Sequence, residues 1–319
     1  MGGDSEALSS VMAKVTLITT IYNEAATIES FLTSVMEQTR LPDEIVIVDA
    51  CSTDGTWEKV QEFFHKKTLI PVQLMQEKGN RSVGRNTAIK YARNDIIVAT
   101  DAGCTLDKKW CEKISAPFEN GDIDVVSGFY HPMGRSVFQK CLATYTSVMP
   151  DKLNPDTYLP SSRSVAFTKD IWKKAGKYPE RLTYCEDLVF AKKLQSMGAR
   201  MIFIRDALVY WPQKNNFSQA AKQFYNYAYG DGQARYIRKN TPFLFARYLV
   251  GLFLFFTFKP LLLILLILYV VWAIRKNYRY VRKPLAYLYL PLLQFTADFA
   301  VMSGMIAGIL SVWATPKTR

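Results

Sequence analysis

A run of four residues, Ile45-Val46-Ile47-Val48, is continuously apolar and β-branched, and it ends at Asp49. Such a run predicts a strand that is buried on both faces, as in a parallel sheet covered by helices. Other apolar runs also predict strands, and between the runs apolar residues recur at helical spacing. The alternation predicts an α/β domain with a mostly parallel central sheet. The other predicted strands are Val15–Thr20, Val72–Met75 and Ile96–Ala99, and the predicted helices are Ile28–Met36, Trp57–Phe64 and Arg85–Arg93.

The polar residues that follow the predicted strands are the first candidates for a site, because ligands bind outside the carboxyl ends of parallel strands. Asn23, Asp49 and Asp101 occupy these positions. Asp49 opens a polar turn in which its carboxylate can accept hydrogen bonds from a base or a ribose. The alternative is a simple turn with Asp54-Gly55 at its corner. Asp101 is placed to bind a divalent ion or a ribose.

Two further segments carry charged residues that suit a nucleotide. Arg81 and Arg85 lie on a predicted loop and helix start, where they can meet phosphate oxygens. A solvated charged loop is the alternative. Glu186 and Asp187 open a predicted helix that runs to about Met197. Acids in a first helical turn also compensate the helix dipole without any catalytic role.

These local patterns follow one another along the chain as YNE, DACSTDGT, GNRSVGRN, TDAG and CED. Their order and separations resemble those of the family 2 glycosyltransferases over residues 14 to about 230. The resemblance implies a nucleotide-diphospho-sugar transferase domain, Rossmann-like and of GT-A type, that inverts the configuration of the transferred sugar. It implies that Asp49 contacts the nucleotide base, that Asp101 lies by the ribose and metal, and that Asp187 is the general base.

The resemblance also assigns a cofactor, a donor and the remaining site residues. It implies a divalent cation, Mg²⁺ or Mn²⁺, with Asp101 as the metal ligand, and a UDP- or GDP-sugar as the donor. The implied catalytic residues are Asp187 and Glu186. The implied donor-binding residues are Thr20, Tyr22, Asn23, Glu24, Asp49, Ser52, Asp54, Arg81, Arg85, Asn86, Asp101, Ala102 and Gly103.

The sequence departs from the family pattern in two places. The family's Asp-x-Asp metal motif is Asp101-Ala-Gly103 here, so the second carboxylate is missing. Asp101 and the diphosphate then hold the ion nearly alone, or Asp107 reaches in, or the metal dependence is weak, and an inactive protein is also allowed. The Gln-x-x-Arg-Trp motif of polymer synthases is replaced by Gln223-Phe-Tyr-Asn-Tyr227, which favours a single transfer over processive polymerisation.

The charge distribution points to a membrane. The formal net charge is +12, and residues 214–319 contain only two acids, Asp231 and Asp298. A basic excess beside apolar segments suits an anionic membrane surface, whereas a nucleic-acid binder would carry its basic patch on the soluble fold. We therefore expect no nucleic-acid partner. Five cysteines without a CxxC pair and two histidines argue against structural zinc and disulfides, and leave acid–base chemistry to carboxylates.

The apolar C-terminal third is expected to contact the bilayer. Residues 248–274 are apolar except for Lys259, and five bases follow in residues 275–283, which the positive-inside rule places in the cytoplasm. A break at Lys259-Pro260 into two half-length helices, either re-entrant or interfacial, reconciles these observations. Residues 285–314 are long enough to span, and Gly304 and Gly308 suggest close helix packing. Asp298 is either a functional residue or the cap of a polar contact with the soluble domain.

The predicted organisation has four parts. Residues 1–13 form a disordered N-terminus without a secretory signal, 14–213 the catalytic domain, 214–242 an interfacial amphipathic helix region and 243–319 the membrane region. Beyond Val125 the alternation loosens into a mixed region, in which residues 161–167 are predicted to be extended and Met201–Ile204 to be a strand. We expect sugar transfer in the cytoplasm to a lipid-linked or membrane-proximal acceptor during envelope assembly. The alternatives are a polyprenyl-phosphate glycosyl synthase, an inactive nucleotide-sugar-binding scaffold and a nucleotidyltransferase.

Overall fold

The computed structural model describes residues 13–66 and 70–314, so the predicted disorder of the N-terminus falls almost wholly outside the described residues. The first hundred residues alternate strands and helices as predicted. The elements are β1 Val15–Ile21, α1 Ile28–Met36, β2 Glu44–Asp49, α2 Thr56–Lys66, β3 Val72–Gln76, α3 Arg81–Tyr91 and β4 Ile96–Ala99.

The remaining chain is less regular at first and then entirely helical. Its elements are β5 Thr105–Leu106, α4 Trp110–Ser115, β6 Val125–Met133, α5 Val137–Thr146, β7 Val165–Thr168, α6 Lys169–Lys174, α7 Glu186–Ser196, β8 Met201–Pro212, α8 Phe217–Gln233, α9 Thr241–Thr257, α10 Lys259–Val281 and α11 Ala286–Ala314. Short 3-10 helices occur at Ala116–Asn120, Pro150–Lys152 and Pro155–Thr157.

The strands form one mixed sheet in the order β3-β2-β1-β4-β7-β6-β8-β5. The first four strands are parallel to one another, which confirms the predicted α/β class. β7 pairs antiparallel with β4 and β6, and β5 pairs antiparallel with β8. The antiparallel half lies where the sequence pattern loosens, because its pairing joins segments that are distant in the chain.

α3 begins four residues earlier than the predicted Arg85, because Asn80 caps it. The Asn80 side chain accepts a hydrogen bond from the backbone N–H of Val83 at 3.1 Å. The helix also lies very close to β1, since a Cβ atom on Gly84 would come within 2.6 Å of the Thr20 methyl carbon. Both arginines of this segment are therefore helical, and the first turn of α3 starts at Arg81.

The chain divides into two compact units that differ from the predicted linear boundaries. The catalytic unit contains the chain up to Tyr130 with Asn154–Glu180 and Asp187–Tyr210. The helical unit contains His131–Leu153, Arg181–Glu186 and the chain from Trp211 onward. The predicted boundary at residue 213 is close to the last of these divisions, but two earlier segments also belong to the helical unit.

The break predicted at Lys259-Pro260 is present, but the two helices around it are not both half-length. α9 has 17 residues and α10 has 23, and α10 continues through most of the basic segment. Pro260 lies in the first turn of α10, where its missing N–H costs no helical hydrogen bond. By length and composition alone, α10 and residues 286–313 of α11 are long and apolar enough to cross a membrane.

Asp298 ties the last three helices together. Its side chain accepts hydrogen bonds from Arg247 at 3.0 Å, from the Tyr248 hydroxyl at 3.0 Å and from Gln294 at 2.9 Å. The Tyr269 hydroxyl on α10 also donates to it. Asp298 is therefore part of a polar contact, but its partners lie inside the helical unit and not in the soluble domain as predicted.

Gly304 and Gly308 allow α11 to touch the backbone of α8, as the spacing predicted. A Cβ atom would come within 2.4 Å of the Tyr225 carbonyl oxygen at Gly304 and within 2.1 Å of the Tyr229 carbonyl oxygen at Gly308. Any side chain at either position would collide with rigid backbone. The predicted amphipathic helix is thus packed against the last helix of the same unit.

Candidate active site

The loops after β1 and β2 are braced against each other by side chains. The backbone N–H of Asn23 donates to the Ser52 hydroxyl, and the Asn23 side-chain oxygen accepts from the Thr53 N–H, both at 2.9 Å. Asp54 accepts from the N–H of Ala25 at 3.1 Å. Asn23 itself has a φ of 53°, a left-handed conformation that asparagine tolerates. Asn23 and Asp54 therefore shape the loops.

Asp54 also accepts hydrogen bonds from Thr56 within its own turn. The bond from the Thr56 hydroxyl is the main cause that lowers the pKa of the Asp54 carboxyl below its ordinary value. The N–H groups of Ala25 and Thr56 act in the same direction. Asp54 thus holds the turn as an anion, which supports the simple-turn interpretation for this residue.

Asp49 lies at the buried end of β2, where its carboxylate is fully enclosed. It accepts hydrogen bonds from the N–H of Ser52 at 3.0 Å and from Gln76 at 2.9 Å. The Ser52 hydroxyl donates to its other oxygen. These partners hold the carboxylate at the carboxyl edge of the sheet. Gln76 was not singled out from the sequence, although its position at the end of a strand could have indicated it.

Asp101 lies after β4 and is surrounded by arginines. Arg85, which is 3% exposed, approaches one Asp101 oxygen at 2.8 Å. Burial alone would raise the pKa of Asp101, but Arg85, Arg163 and Arg81 outweigh it and hold the pKa below its ordinary value. Because 30% of the Asp101 side chain is still accessible, this charged cluster faces open space as well as protein.

Arg163 is a site residue that sequence reasoning missed. It precedes β7, donates to the Ser161 hydroxyl at 3.3 Å and lies over the Tyr130 ring at 5.1 Å. Its only sequence signal is a single charge in the otherwise small and apolar segment 161–167. Together, Arg81, Arg85 and Arg163 supply three guanidinium groups around one carboxylate.

Asp187 is connected to this cluster through Ser161. The Ser161 hydroxyl donates to one Asp187 oxygen at 3.1 Å, and the N–H of Leu188 donates to the other at 2.8 Å. Asp187 is half-buried, whereas Glu186 is 4% exposed. Of the two predicted catalytic acids, Asp187 is the one whose carboxylate remains accessible to a ligand.

Asn86, a predicted donor-binding residue, makes four hydrogen bonds within the protein. Its amide donates to the Tyr178 carbonyl at 2.9 Å and to Glu180 at 2.8 Å. Its oxygen accepts from the Trp172 indole at 3.1 Å and from the Tyr178 N–H at 3.0 Å. Because the amide has no remaining hydrogen-bonding capacity, Asn86 anchors α3 to the segment before α7.

The other predicted donor-binding residues divide by exposure. Thr20 packs under Gly84, and Ala102 is buried, so both contribute mainly to packing. Tyr22 is 59% exposed and is free to contact a ligand. Glu24 is half-buried, and its N–H donates to the Thr56 hydroxyl at 2.8 Å.

The residues around Asp101 do not fit a cation that the protein holds by itself. In residues 13–66 and 70–314, no three His, Cys, Asp or Glu side chains come together in a metal-binding group. Asp107 accepts from the Tyr210 hydroxyl at 3.3 Å, and no described contact joins it to Asp101. A Cβ atom on Gly103 would meet only a Glu24 oxygen at 3.9 Å, so no steric conflict explains the missing acid. The chemistry fits a cation that arrives with a diphosphate.

The carboxyl edge of the parallel strands carries Asp49 and Asp101, arginines from α3 and from the segment before β7 lie around Asp101, and Ser161 links Asp187 to this cluster. This arrangement is that of a nucleotide-sugar-dependent transferase of GT-A type. Residues 96–311 match the family described as glycosyl transferase family group 2, and residues 16–161 match glycosyl transferase family 2. The chain belongs to the family 2 glycosyltransferases. The resemblance inferred from the five local patterns is thus confirmed.

Individual relatives agree with this assignment. The chain is 25% identical to glycosyltransferase AglE of Haloferax volcanii, over 68% of this chain and 73% of AglE. It is 26% identical to the poly(ribitol-phosphate) β-N-acetylglucosaminyltransferase TarS of Staphylococcus aureus, over 64% of this chain but 36% of TarS. The fold is similar to that of mannosyltransferase PcManGT of Pyrobaculum calidifontis, with a TM-score of 0.59, 20% identity and coverage of 97% of this chain and 89% of that one. That structure is a complex with GDP-Man and Mn²⁺.

Proposed function

We propose that this chain transfers a sugar from a nucleotide-diphospho-sugar to a lipid-linked or membrane-proximal acceptor, with inversion at the anomeric carbon. The observation that carries the proposal is the hydrogen bond from Ser161 to Asp187, which joins the accessible acid to the arginine-rich cluster around Asp101. A base and a set of cations are thereby present in one unit. Displacement of the diphosphate of a nucleotide-sugar by an acceptor hydroxyl needs both.

The base acts on the acceptor. Asp187 takes the proton of an acceptor hydroxyl while that oxygen bonds to the anomeric carbon of the sugar. The bond between the anomeric carbon and the diphosphate oxygen breaks, and the nucleoside diphosphate leaves with both electrons of that bond. Ser161 orients the carboxylate by its hydrogen bond to one oxygen. Because attack comes from the face opposite the diphosphate, a single displacement inverts the configuration.

The cations act on the leaving group. Arg81, Arg85 and Arg163 can neutralise the negative charge that accumulates on the departing diphosphate. A guanidinium group suits this role because two of its N–H groups can donate to two phosphate oxygens at once. Asp101 is the residue that would hold Mg²⁺ or Mn²⁺ when the donor carries one. Such an ion would share the charge of the diphosphate.

The nucleotide is bound at the edge formed by β1 and β2. Asp49 is enclosed by Ser52 and Gln76, so it positions the loop at this edge, against which the base of a UDP- or GDP-sugar binds. The exposed Tyr22 ring lies on the neighbouring loop and offers a stacking surface. The GDP-Man in the PcManGT structure supports a donor of this class, and the name of TarS, a poly(ribitol-phosphate) β-N-acetylglucosaminyltransferase, supports sugar transfer to a larger acceptor.

The apolar helices support an acceptor at the membrane. α10 and α11 are long and apolar enough to span a bilayer, and the basic segment at the end of α10 fits the cytoplasmic side. We therefore place the protein in the cell membrane with its catalytic unit in the cytoplasm. A second candidate, a polyprenyl-phosphate glycosyl synthase, is favoured by 31% identity to the dolichol-phosphate mannosyltransferase of Pyrococcus furiosus over 39% of this chain. In that reaction the acceptor is a phosphate, which needs no base.

A thermal-shift panel tests the donor site. Detergent-solubilised protein is heated with UDP, GDP, CDP or dTDP, each with and without Mg²⁺ or Mn²⁺. A ligand at a hundred times its Kd stabilises the folded state by about 2.7 kcal/mol, so binding is readily visible. We expect one nucleotide to raise the Tm of the wild type and to have no effect on Asp49→Ala. Folded protein that responds to no nucleotide would contradict the proposal.

A further inference from the structure

The helical unit contains a groove of about 770 Å³ that the proposed transfer reaction does not use. It is lined by the second half of α10 and the start of α11. Arg275, Arg279 and Arg282 form its basic part, and Val271 and Ile274 form its apolar part. The groove thus has one charged end and one apolar end.

Arg275 and Arg279 share one face of α10, and Arg282 directly follows the last residue of the helix. The three arginines are separated by four and three residues, the spacing that brings side chains together along an α-helix. The last of them ends α10 in a left-handed conformation with φ 48°, and its side chain turns back to donate to the Arg279 carbonyl at 3.1 Å. The guanidinium groups are therefore gathered at the helix end.

The positive charge of the groove is only partly balanced. Arg279 is paired with Asp151 and also donates to the Tyr280 hydroxyl. Arg275 is exposed and makes no hydrogen bond or ion pair within the described part of the chain. Three guanidinium groups thus face a single carboxylate, which leaves an excess of about two positive charges for a ligand. A phosphomonoester carries roughly −1.5 to −2 at neutral pH and matches this excess, whereas a phosphodiester does not.

The apolar end continues along α10. Val271 is 42% exposed, and the exposed aliphatic side chains Ile267 and Leu263 lie one and two turns nearer the start of the helix. Tyr278 and Tyr287 close the side of the groove, with ring centroids 4.5 Å apart. A ligand that fills both ends must combine a phosphate with a long apolar chain.

We propose that this groove binds the phosphate head of a membrane lipid that ends in a phosphomonoester. Arg275 and Arg282 bind the phosphate oxygens through paired N–H groups, and Arg279 adds charge while it remains tied to Asp151. The lipid chain lies along the aliphatic face of α10. This ligand is additional to the sugar donor, and its binding does not depend on which nucleotide the catalytic unit takes.

A lipid panel on the full-length protein in neutral detergent tests the ligand class. Phosphatidic acid is the phosphomonoester probe, phosphatidylglycerol the phosphodiester probe, phosphatidylcholine the uncharged control and inorganic phosphate the probe without a chain. We expect phosphatidic acid to raise the Tm at concentrations about tenfold below those that phosphatidylglycerol requires, the ratio for a 1.4 kcal/mol preference. Inorganic phosphate alone should have no effect at the same concentrations. Equal responses to the two charged lipids would overturn the proposed selectivity.

A matched pair of double variants tests the location. Arg275→Gln with Arg282→Gln removes two charges from the groove, and Arg235→Gln with Lys239→Gln removes two exposed charges elsewhere in the helical unit. We expect the first pair to weaken phosphatidic acid binding by about tenfold and the second to leave it unchanged. Equal losses in both pairs would mean bulk attraction to anionic lipid and would overturn the groove as a site.

The nucleotide panel keeps this test separate from the proposed function. The groove variants should respond to the donor nucleotide as the wild type does, which also shows that they are folded. If the double variant does not fold, the single variant Arg275→Gln tests the location of the site instead. This substitution removes no hydrogen bond or ion pair within the described chain, so the variant should fold. Undiminished phosphatidic acid binding in a folded Arg275→Gln variant would contradict the proposal.

Discussion

Two accessible carboxylates of the catalytic unit, Asp187 and Asp101, and the one at the centre of the last three helices, Asp298, have opposite surroundings. Asp298 is 4% exposed and accepts hydrogen bonds from four side chains. Asp187 is half-buried and accepts from one side chain, Ser161, within the described residues. Asp101 is paired but still 30% accessible. A buried carboxylate with many hydrogen-bond donors around it stabilises the fold, whereas an accessible carboxylate with few donors is available to a ligand.

The largest effect expected from this contrast is on catalysis. Replacing the base by Asp187→Asn should lower kcat about a thousandfold, the usual worth of general-base catalysis, with little change in Tm. The measurement is release of nucleoside diphosphate from a donor that the wild type uses. Asp170→Asn is the control, because Asp170 is an exposed acid of the same unit with a single surface ion pair. A variant with most of its activity would point to an acceptor that is a phosphate.

The reverse pattern is expected for the buried acid. Asp298→Ala leaves Arg247 without its carboxylate and removes the acceptor for Tyr248 and Tyr269, so unfolding should become easier by about 2 to 3 kcal/mol. Because the Arg247 side chain is 39% exposed, the loss in the free energy of unfolding should lie at the lower end of this range. Tm in a fixed detergent measures the loss. Nucleotide binding per folded molecule should be unchanged, and a selective loss of turnover without a lower Tm would break the comparison.

A third change tests whether the helical unit is fastened by packing as well as by Asp298. Gly308→Ala places a Cβ atom about 2.1 Å from the Tyr229 carbonyl oxygen and should destabilise the unit by about 2 kcal/mol. Gly251→Ala is the matched control, since its Cβ atom would meet nothing nearer than 3.9 Å. In that helix interior alanine should be neutral or stabilising by up to about 1 kcal/mol. Equal Tm values for the two variants would contradict the close packing.

The accessible Asp101 makes a prediction about metal. Among the described residues no second carboxylate completes a metal site with Asp101, so Mn²⁺ alone should not bind measurably. When the donor nucleotide is present, Mn²⁺ should tighten nucleotide binding by about tenfold, or 1.4 kcal/mol. Calorimetric titration of metal into apoprotein and into the nucleotide complex measures both. Tight binding of Mn²⁺ without nucleotide would show that the protein holds the ion itself.

The smallest effect concerns Asp54, whose pKa is lowered chiefly by the Thr56 hydroxyl. A carboxyl with a lowered folded-state pKa stabilises the fold above its unfolded pKa, and the stabilisation is lost as pH falls through the folded value. Asp54→Asn should therefore be less stable than the wild type at pH 7, and the difference should shrink below about pH 4. Melting curves of the wild type and the variant, recorded at pH 7 and below about pH 4, measure this difference in stability. A difference that does not change with pH would assign the effect to geometry instead of charge.

The parallel half of the fold could be predicted from the sequence because its strands are continuous apolar runs. The apolar run that ends at Asp49 predicted both ends of β2 to within one residue, because a strand that is buried on both faces has such a continuous apolar pattern. The start of α3 was predicted four residues too late, because in the sequence Asn80 looks like any asparagine in a loop and not like a helix cap. Of the antiparallel strands, β7 and the start of β8 overlap the predicted extended segments 161–167 and 201–204, whereas β5 and β6 were not predicted. The pairing itself could not be foreseen, because it joins β4 to β7 across about seventy residues of chain.

The site was predicted as a set of positions, and the structure separates their roles. Asn86 carries the family pattern, but its hydrogen bonds reach Tyr178 and Glu180, which are more than ninety residues away in sequence and could not be foreseen. Arg163 was missed because a lone arginine in an extended segment resembles any surface charge. Its significance comes from its proximity to Asp101, which only the folded chain shows.

The stereochemistry of donor hydrolysis tests the central claim most directly, because it needs no knowledge of the acceptor. Water takes the place of the acceptor hydroxyl, Asp187 takes its proton, and the anomer that forms first is read by proton NMR before it equilibrates. From an α-linked nucleotide sugar, a single base-assisted displacement predicts that the β-anomer appears first and that Asp187→Asn abolishes its release. The α-anomer as the first product would contradict direct displacement with Asp187 as the base.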